Sequence, residues 1–268
     1  MSKVGFAGTL VLASVVALAR SVAADDAEQA AAALKQSYQS IDKIKDRAEQ
    51  KAAADRFHAE CEQFVRAWSG KITEGPTLAI LGLAELALGN KDKSAGILAR
   101  YQDGLKGKPA PALNVQRVIG EAEQAGFDLS SLKGKVVVVD FWATWCPPCR
   151  AAIPHLIDLQ QKLGAKGVVV VGATQLYGNG YLKGERKANL DEAQEIALNA
   201  DFKADLKIPY DIVVCEKGTS MFHYGVLGIP TLVLIDRAGN VRDIRVGASD
   251  FGAITLKVEE LLDEQSGG

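Results

Sequence analysis

Val136-Val-Val-Val-Asp-Phe-Trp-Ala-Thr-Trp-Cys146-Pro-Pro-Cys149-Arg150 joins a continuous apolar run to two cysteines at the mouth of a helical pattern. Four valines followed by Phe141 and Trp142, broken only by Asp140, read as a strand buried on both faces. From Arg150 to Leu163 apolar residues return at helical spacing, and Val168-Val-Val-Val-Gly172 is a second buried strand. Two such strands with a helix between them are the parts of a right-handed parallel βαβ unit. The cysteines therefore stand at a strand-to-helix junction, three positions apart on the helix's first turn.

That placement has chemical consequences. Cys146 faces backbone N–H groups that have no partner inside the helix and the positive end of the helix dipole, both of which stabilise an anion. It is expected to ionise below the ordinary thiol range and to be the attacking thiolate, with Arg150 either adding positive charge or lying solvated on the first turn. Cys149, one turn further in, is expected to be shielded and to react second. Pro147 and Pro148 cost the helix little there, because their missing donors would be unpaired anyway, and they stiffen the ring. The competing reading of a CxxC is half of a zinc site, which needs two further ligands. His155 lies six residues on, His223 is remote, and Cys61 and Cys215 are single, so no metal is assigned.

Working outward toward the C-terminus, the polar segment from Gln175 to Ala204 contains a helix around Leu190 to Asn199 and otherwise reads as a variable surface loop. Tyr210-Asp-Ile-Val-Val is a short strand. Thr231-Leu-Val-Leu-Ile and Val241-Arg-Asp-Ile-Arg-Val, joined through Asp236-Arg-Ala-Gly-Asn, form an antiparallel hairpin. An amphipathic helix through Ile254, Leu256, Val258, Leu261 and Leu262 closes the chain, which gives the element order of an α/β mixed sheet flanked by helices.

Working outward toward the N-terminus, the texture changes. Residues 104–112, around Gly107-Lys-Pro-Ala-Pro, read as a linker. Residues 25–103 form a small all-α module: Leu34, Tyr38 and Ile41, then Phe57, Cys61, Phe64 and Trp68 mark one long helix or two in series. Gly70 is a stop, Pro76 opens the next helix, and Gly89-Asn90 separates it from one through Ile97, Leu98 and Tyr101. The stretch Leu81 to Ala95 resembles half of a tetratricopeptide-type hairpin, but a single copy is better explained as plain helical packing. Residues 1–24, with Lys3 ahead of an apolar run and Val22-Ala-Ala at its end, read as a signal peptide, the alternative being a retained membrane anchor.

Composition narrows the function further. Four cysteines in 268 residues are too few to staple a fold, so a close pair is chemical rather than architectural. Cys61 and Cys215 read as buried thiols, a bridge between them being the alternative. The formal charge is −2, and beyond Pro109 the chain carries 16 basic against 20 acidic side chains, a net of −4, which excludes a nucleic-acid partner.

The segment Val138-Val-Asp-Phe-Trp-Ala-Thr-Trp-Cys-Pro-Pro-Cys-Arg resembles the active site of thioredoxins, and most of all the exported thioredoxin-like proteins of the TlpA and ResA type. Tyr224-Gly-Val-Leu-Gly-Ile-Pro-Thr-Leu-Val-Leu-Ile-Asp resembles that family's second signature, and Leu129-Ser-Ser-Leu-Lys-Gly-Lys is typical of the subgroup. The resemblance spans about residues 109–265. It implies a thioredoxin-like domain over 113–268, an extracytoplasmic thiol–disulfide oxidoreductase, no cofactor, and protein disulfides or dithiols as substrates. It also implies recharging by a membrane electron donor and a place in cytochrome or metal-centre assembly. A cis peptide at Ile229–Pro230 set against the cysteine pair is implied as well, and Asp140 as a buried acid that takes the proton of Cys149. Asp140 could alternatively bond only to backbone at a strand end. Alternation along the strand makes Trp142 a buried prop and Trp145 an exposed lip. The set expected to touch substrate is Trp145, Pro147, Pro148, Ile229 and Pro230, while His155 is read as surface. A disulfide donor, a thiol peroxidase and a non-catalytic envelope scaffold are the rival functions.

Overall fold

The computed structural model describes residues 24–41, 44, 46–72, 75–120, 127–226, 228–247 and 250–264. The signal segment thus lies outside the described residues but for Ala24. The chain divides into two compact units, residues 1–104 and 105–268.

The first unit is helical. Helices α1 (Ala24–Ile41), α2 (Arg47–Trp68), α3 (Pro76–Ala87) and α4 (Lys91–Leu105) follow one another, so the long apolar face read over Leu34 to Trp68 belongs to two helices. Asp46 caps α2 by accepting the Glu49 N–H at 2.8 Å. Gly70, with φ 78°, ends that helix in a left-handed conformation that a residue without Cβ adopts freely. Pro76 opens α3 and Gly89 follows its end. Leu34, Phe64, Trp68, Leu78, Leu81 and Leu98 are buried. A Cβ at Gly82 would fall 2.5 Å from Leu98 Cγ, and Ser94 Oγ donates to the Gly82 carbonyl at 2.6 Å, so α3 and α4 approach closely and the buried Ser94 hydroxyl is satisfied. Cys61 is fully buried and unbonded.

The second unit is built on a six-stranded sheet, ordered β1-β6-β3-β2-β7-β8. Its strands are β1 (Val115–Ile119), β2 (Val136–Phe141), β3 (Val168–Thr174), β6 (Asp211–Cys215), β7 (Thr231–Ile235) and β8 (Val241–Val246). Strands β2, β3 and β6 are parallel, with Val136 opposite Val168; β7 and β8 return antiparallel, and β1 closes the other edge against β6. Every residue of β2 is buried, as its run of valines requires. Helix α5 (Pro147–Leu163) makes the crossover between β2 and β3, and α6 (Glu192–Asp205), α7 (Thr219–Tyr224) and α8 (Phe251–Asp263) complete the layers. This is the thioredoxin-like arrangement, a mixed sheet flanked by helices.

Three features were not visible in the composition. Gly107 N–H donates to the Val241 carbonyl at 2.7 Å, Val241 N–H to Lys108 at 2.9 Å, and Ala110 N–H to Gly239 at 2.9 Å, so much of the stretch with a linker's composition is zipped to the start of β8. The edge strand β1 is absent from the hydrophobic pattern. The polar segment after β3 is not a plain loop: β4 (Asn179–Leu182) and β5 (Glu185–Ala188) make a two-stranded ribbon ahead of α6. Among the described residues no helix is long and apolar enough to cross a membrane.

Candidate active site

Cys146 is the N-cap of α5, with extended backbone (φ −85°, ψ 109°), and Pro147 and Pro148 occupy the first helical positions. Its sulfur accepts the Cys149 N–H at 3.2 Å, which uses one of the donors that a helix start leaves free. The two cysteines are joined as a disulfide with a Cα separation of 5.3 Å, within the span such a bridge needs. Pro147 and Pro148 are exposed, whereas Cys146 retains 3% exposure and Cys149 none. Of the two sulfurs, the first is the one a partner can reach.

The segment leading into β7 meets the pair. The Ile229–Pro230 peptide bond, just ahead of β7, is cis. The Ile229 carbonyl oxygen lies 3.6 Å from Cys146 Sγ, so the second signature does meet the first in space. Ile229 is half-buried and Pro230 buried. Asp140, near the end of β2, is 1% exposed, and its Oδ1 has no hydrogen-bond partner among the described residues. Burial pushes its carboxyl from 3.8 up to about 8. Tyr210 faces the same region: burial, with Asp140's charge added, pushes its phenol upward. Sequence alone did not single out Tyr210, whose partner lies seventy residues away on another strand.

The two active-site tryptophans differ as alternation suggests, with one correction. Trp142 is buried and packs on Phe202 at 5.4 Å between centroids. Trp145 is only half exposed, because Tyr177 meets it edge-on at 5.2 Å. That tyrosine belongs to the ribbon segment. Glu195, buried on α6, accepts the Tyr177 N–H at 2.9 Å and the Gly178 N–H at 2.7 Å. Burial raises its carboxyl while these two bonds pull it back. A Cβ at Gly180 would fall 2.7 Å from Leu198 and 3.1 Å from Thr144 Oγ1, so the β4 backbone lies directly on α6 and on the turn before Cys146. Tyr181 N–H donates to Thr144 Oγ1 at 3.1 Å. Glu195→Ala strands two loop N–H groups, and we expect it to lower unfolding free energy by about 2–3 kcal/mol in urea titrations. A loss below about 0.5 kcal/mol would mean the loop is held by other contacts.

Arg150 is half-buried: Nη1 donates to the Thr144 carbonyl at 2.9 Å and the guanidinium lies 3.9 Å from the Tyr181 ring centroid. His155 is exposed and stacks on Phe251 at 4.4 Å, consistent with a surface role. Cys215 is buried, outside any disulfide and raised by burial to about 11 against the pull of a hydrogen bond with Ser220, so it offers no second thiolate. Among the described residues no group of three or more His, Cys, Asp or Glu could hold a metal.

The Redoxin family profile matches residues 105–259, the sheet unit and its entry strand. The thiol:disulfide interchange protein HelX of Rhodobacter capsulatus is 32% identical over 59% of this chain and 77% of its own length. The thiol-disulfide oxidoreductase ResA of Bacillus cereus is 32% identical over 53% of this chain and 69% of its own. Among solved structures, a thiol:disulfide interchange protein of the thioredoxin family from Chlorobium tepidum is 26% identical, covering 57% of this chain and 95% of that one, with a TM-score of 0.44. The family profile begins where the helical unit ends. A bridged cysteine pair at the start of a helix, set against a cis-proline loop and lying within a profile match from residue 105 to 259, makes this chain a member of the Redoxin family, a thioredoxin-like thiol–disulfide oxidoreductase.

Proposed function

We propose that the protein works outside the cytoplasm and reduces disulfides in specific partner proteins. The reading is carried by one observation: the less buried cysteine of the pair, which keeps 3% exposure against none, is a helix N-cap whose sulfur lies beside the Ile229 carbonyl. A client segment laid along that carbonyl in extended form is positioned by backbone groups, as in strand addition, with its sulfur against Cys146. Trp145, Pro147, Pro148 and Ile229 then form the contact surface, while Pro230, expected from the sequence to touch the client, is buried behind them.

The Cys146 thiolate attacks one sulfur of the client disulfide and the other leaves as a thiolate. Cys149 then attacks Cys146, freeing the client as a dithiol and leaving the enzyme oxidised, so two electrons pass to the client. On this reading the ionised form of Asp140, a carboxyl that burial raises to about 8, takes the Cys149 proton in the second step, directly or through water. A dithiol donor at the membrane restores the pair. No cofactor is required for this exchange. The leader-like residues 1–24 and the resemblance of residues 138–150 and 224–236 to exported proteins of the TlpA and ResA type support an extracytoplasmic site and a role in assembling cytochromes.

Direction is tested in the protein's own cell. A Cys149→Ser variant should hold clients as mixed disulfides, while alkylation should find the wild-type pair mostly reduced at rest. A wild-type pair found mostly oxidised, trapped on many newly exported chains, would make the protein a disulfide donor and end the reductase reading.

A further inference from the structure

The arginine after the second cysteine is held in an unusual way. Thr144 takes one of its N–H groups through its carbonyl, the Tyr181 ring covers one face of its guanidinium at 3.9 Å, and the same Thr144 takes the Tyr181 N–H through its hydroxyl. Guanidinium has five N–H donors in a rigid plane, and the described residues engage one of them. The side chain is half-buried, so the remaining donor edge is oriented before anything binds. Its position is set from both sides of the disulfide, since Arg150 follows Cys149 and Thr144 precedes Cys146 by two residues. Around it the ribbon exposes Lys183, Arg186 and Lys187 against Glu185, a basic rim on a half of the chain whose net charge is −4.

We propose that Arg150, flattened by Tyr181 and anchored by Thr144, is a specificity-determining residue that receives a carboxylate of the client polypeptide, so that preferred clients carry Asp or Glu beside the disulfide under exchange. The proposal rests on the reductase reading and adds the substrate class to it. A fixed guanidinium plane matches a carboxylate through two parallel N–H···O bonds, and ring stacking lowers the hydration that such a contact must displace. An unstacked, freely rotating side chain would have to be ordered at the moment of binding. The ribbon is then more than packing. It holds the arginine's plane, and Glu195, by fixing residues 177 and 178, is a positioning residue for the ribbon.

The test uses two synthetic peptides with the same intramolecular disulfide, one with glutamates flanking the cysteines and one with glutamines. The full-length protein is recharged by dithiothreitol, which passes two electrons to Cys146–Cys149 for each peptide disulfide opened; the uncatalysed rate is subtracted. For the wild type, kcat/KM should favour the glutamate peptide about tenfold at low salt, the size of one charge-assisted contact, and the preference should shrink as salt is added. Arg150→Gln should bring the ratio to about one. Arg150→Lys, which keeps the charge and loses the planar fork, should give an intermediate ratio, an ordering that a merely structural brace would not produce. Insulin reduction is followed in the same preparations. Equal wild-type rates on the two peptides, or an undiminished ratio in Arg150→Gln, overturn the proposal while insulin reduction still upholds the reductase reading; a wild type inactive on insulin as well overturns that reading itself.

Discussion

Cys146→Ser is expected to reduce catalysed insulin reduction to background, a loss on the order of a thousandfold or more, as follows from removing a nucleophile that acts as part of a unit. A serine hydroxyl at an N-cap is structurally apt, since it can accept the same N–H that the sulfur now accepts, so the variant should fold and its defect should be purely chemical. Cys149→Ser loses turnover as well, but for a different reason. Its Cys146 still attacks, and with no resolving sulfur the mixed disulfide should accumulate to one equivalent, visible as a mass increment that dithiothreitol removes. The asymmetry follows from burial, because Cys149 is shut off from partners and Cys146 is not. Turnover by Cys146→Ser, or an adduct formed through Cys149 in that variant, would reverse the assignment.

The second large effect concerns Asp140 and the pH dependence of stability. Its carboxyl is raised from 3.8 to about 8 by burial, so between those values the native state holds a proton that the unfolded chain has released. Stability from this group is therefore present in full below about 3.8 and is lost as pH rises through about 8. The slope is about 1.4 kcal/mol per pH unit, and the accumulated penalty reaches on the order of 5 kcal/mol at the upper end of the window. Asp140→Asn cannot ionise and should be free of this slope. Denaturant unfolding of the two oxidised proteins from pH 4.5 to 8.5 should show the variant gaining on the wild type steadily, whatever constant offset a buried amide introduces. Curves that stay parallel would mean that Asp140 is ionised throughout or hydrated. The same variant should slow resolution of the mixed disulfide by about a hundredfold, the usual worth of a positioned base. A native protein thus retains an acid that costs it stability at the pH where it is expected to assist proton transfer.

The βαβ core could be read from the chain because β2 and β3 are buried on both faces, and burial on both faces forces consecutive valines. The helical unit was legible for a similar reason: Gly70, Pro76 and Gly89 punctuate an apolar pattern of the right period, and helix ends are local events. The β4–β5 ribbon had no such signature. Its strands are four residues each, β5 is exposed along its whole length, and pairing across a tight turn leaves no apolar alternation to detect. Strand β1 is an edge, with Gln116 and Arg117 exposed and an irregular register against β6, and so it too lacked a period.

At the site, the chain by itself determined the parts that depend on neighbours in sequence: two thiols on one helical turn, prolines where a helix tolerates them, and an acid inside an apolar strand. Whatever depends on residues far apart was decided only by folding. The Ile229 carbonyl came to lie beside a sulfur eighty-three positions away, Tyr210 came to share a buried region with Asp140, and the guanidinium of Arg150 came to stack on Tyr181. The physical reason is that local propensity and burial pattern act within a helical turn or a strand, whereas the polarity around a titrating group and the partner of a guanidinium are set by which elements pack together.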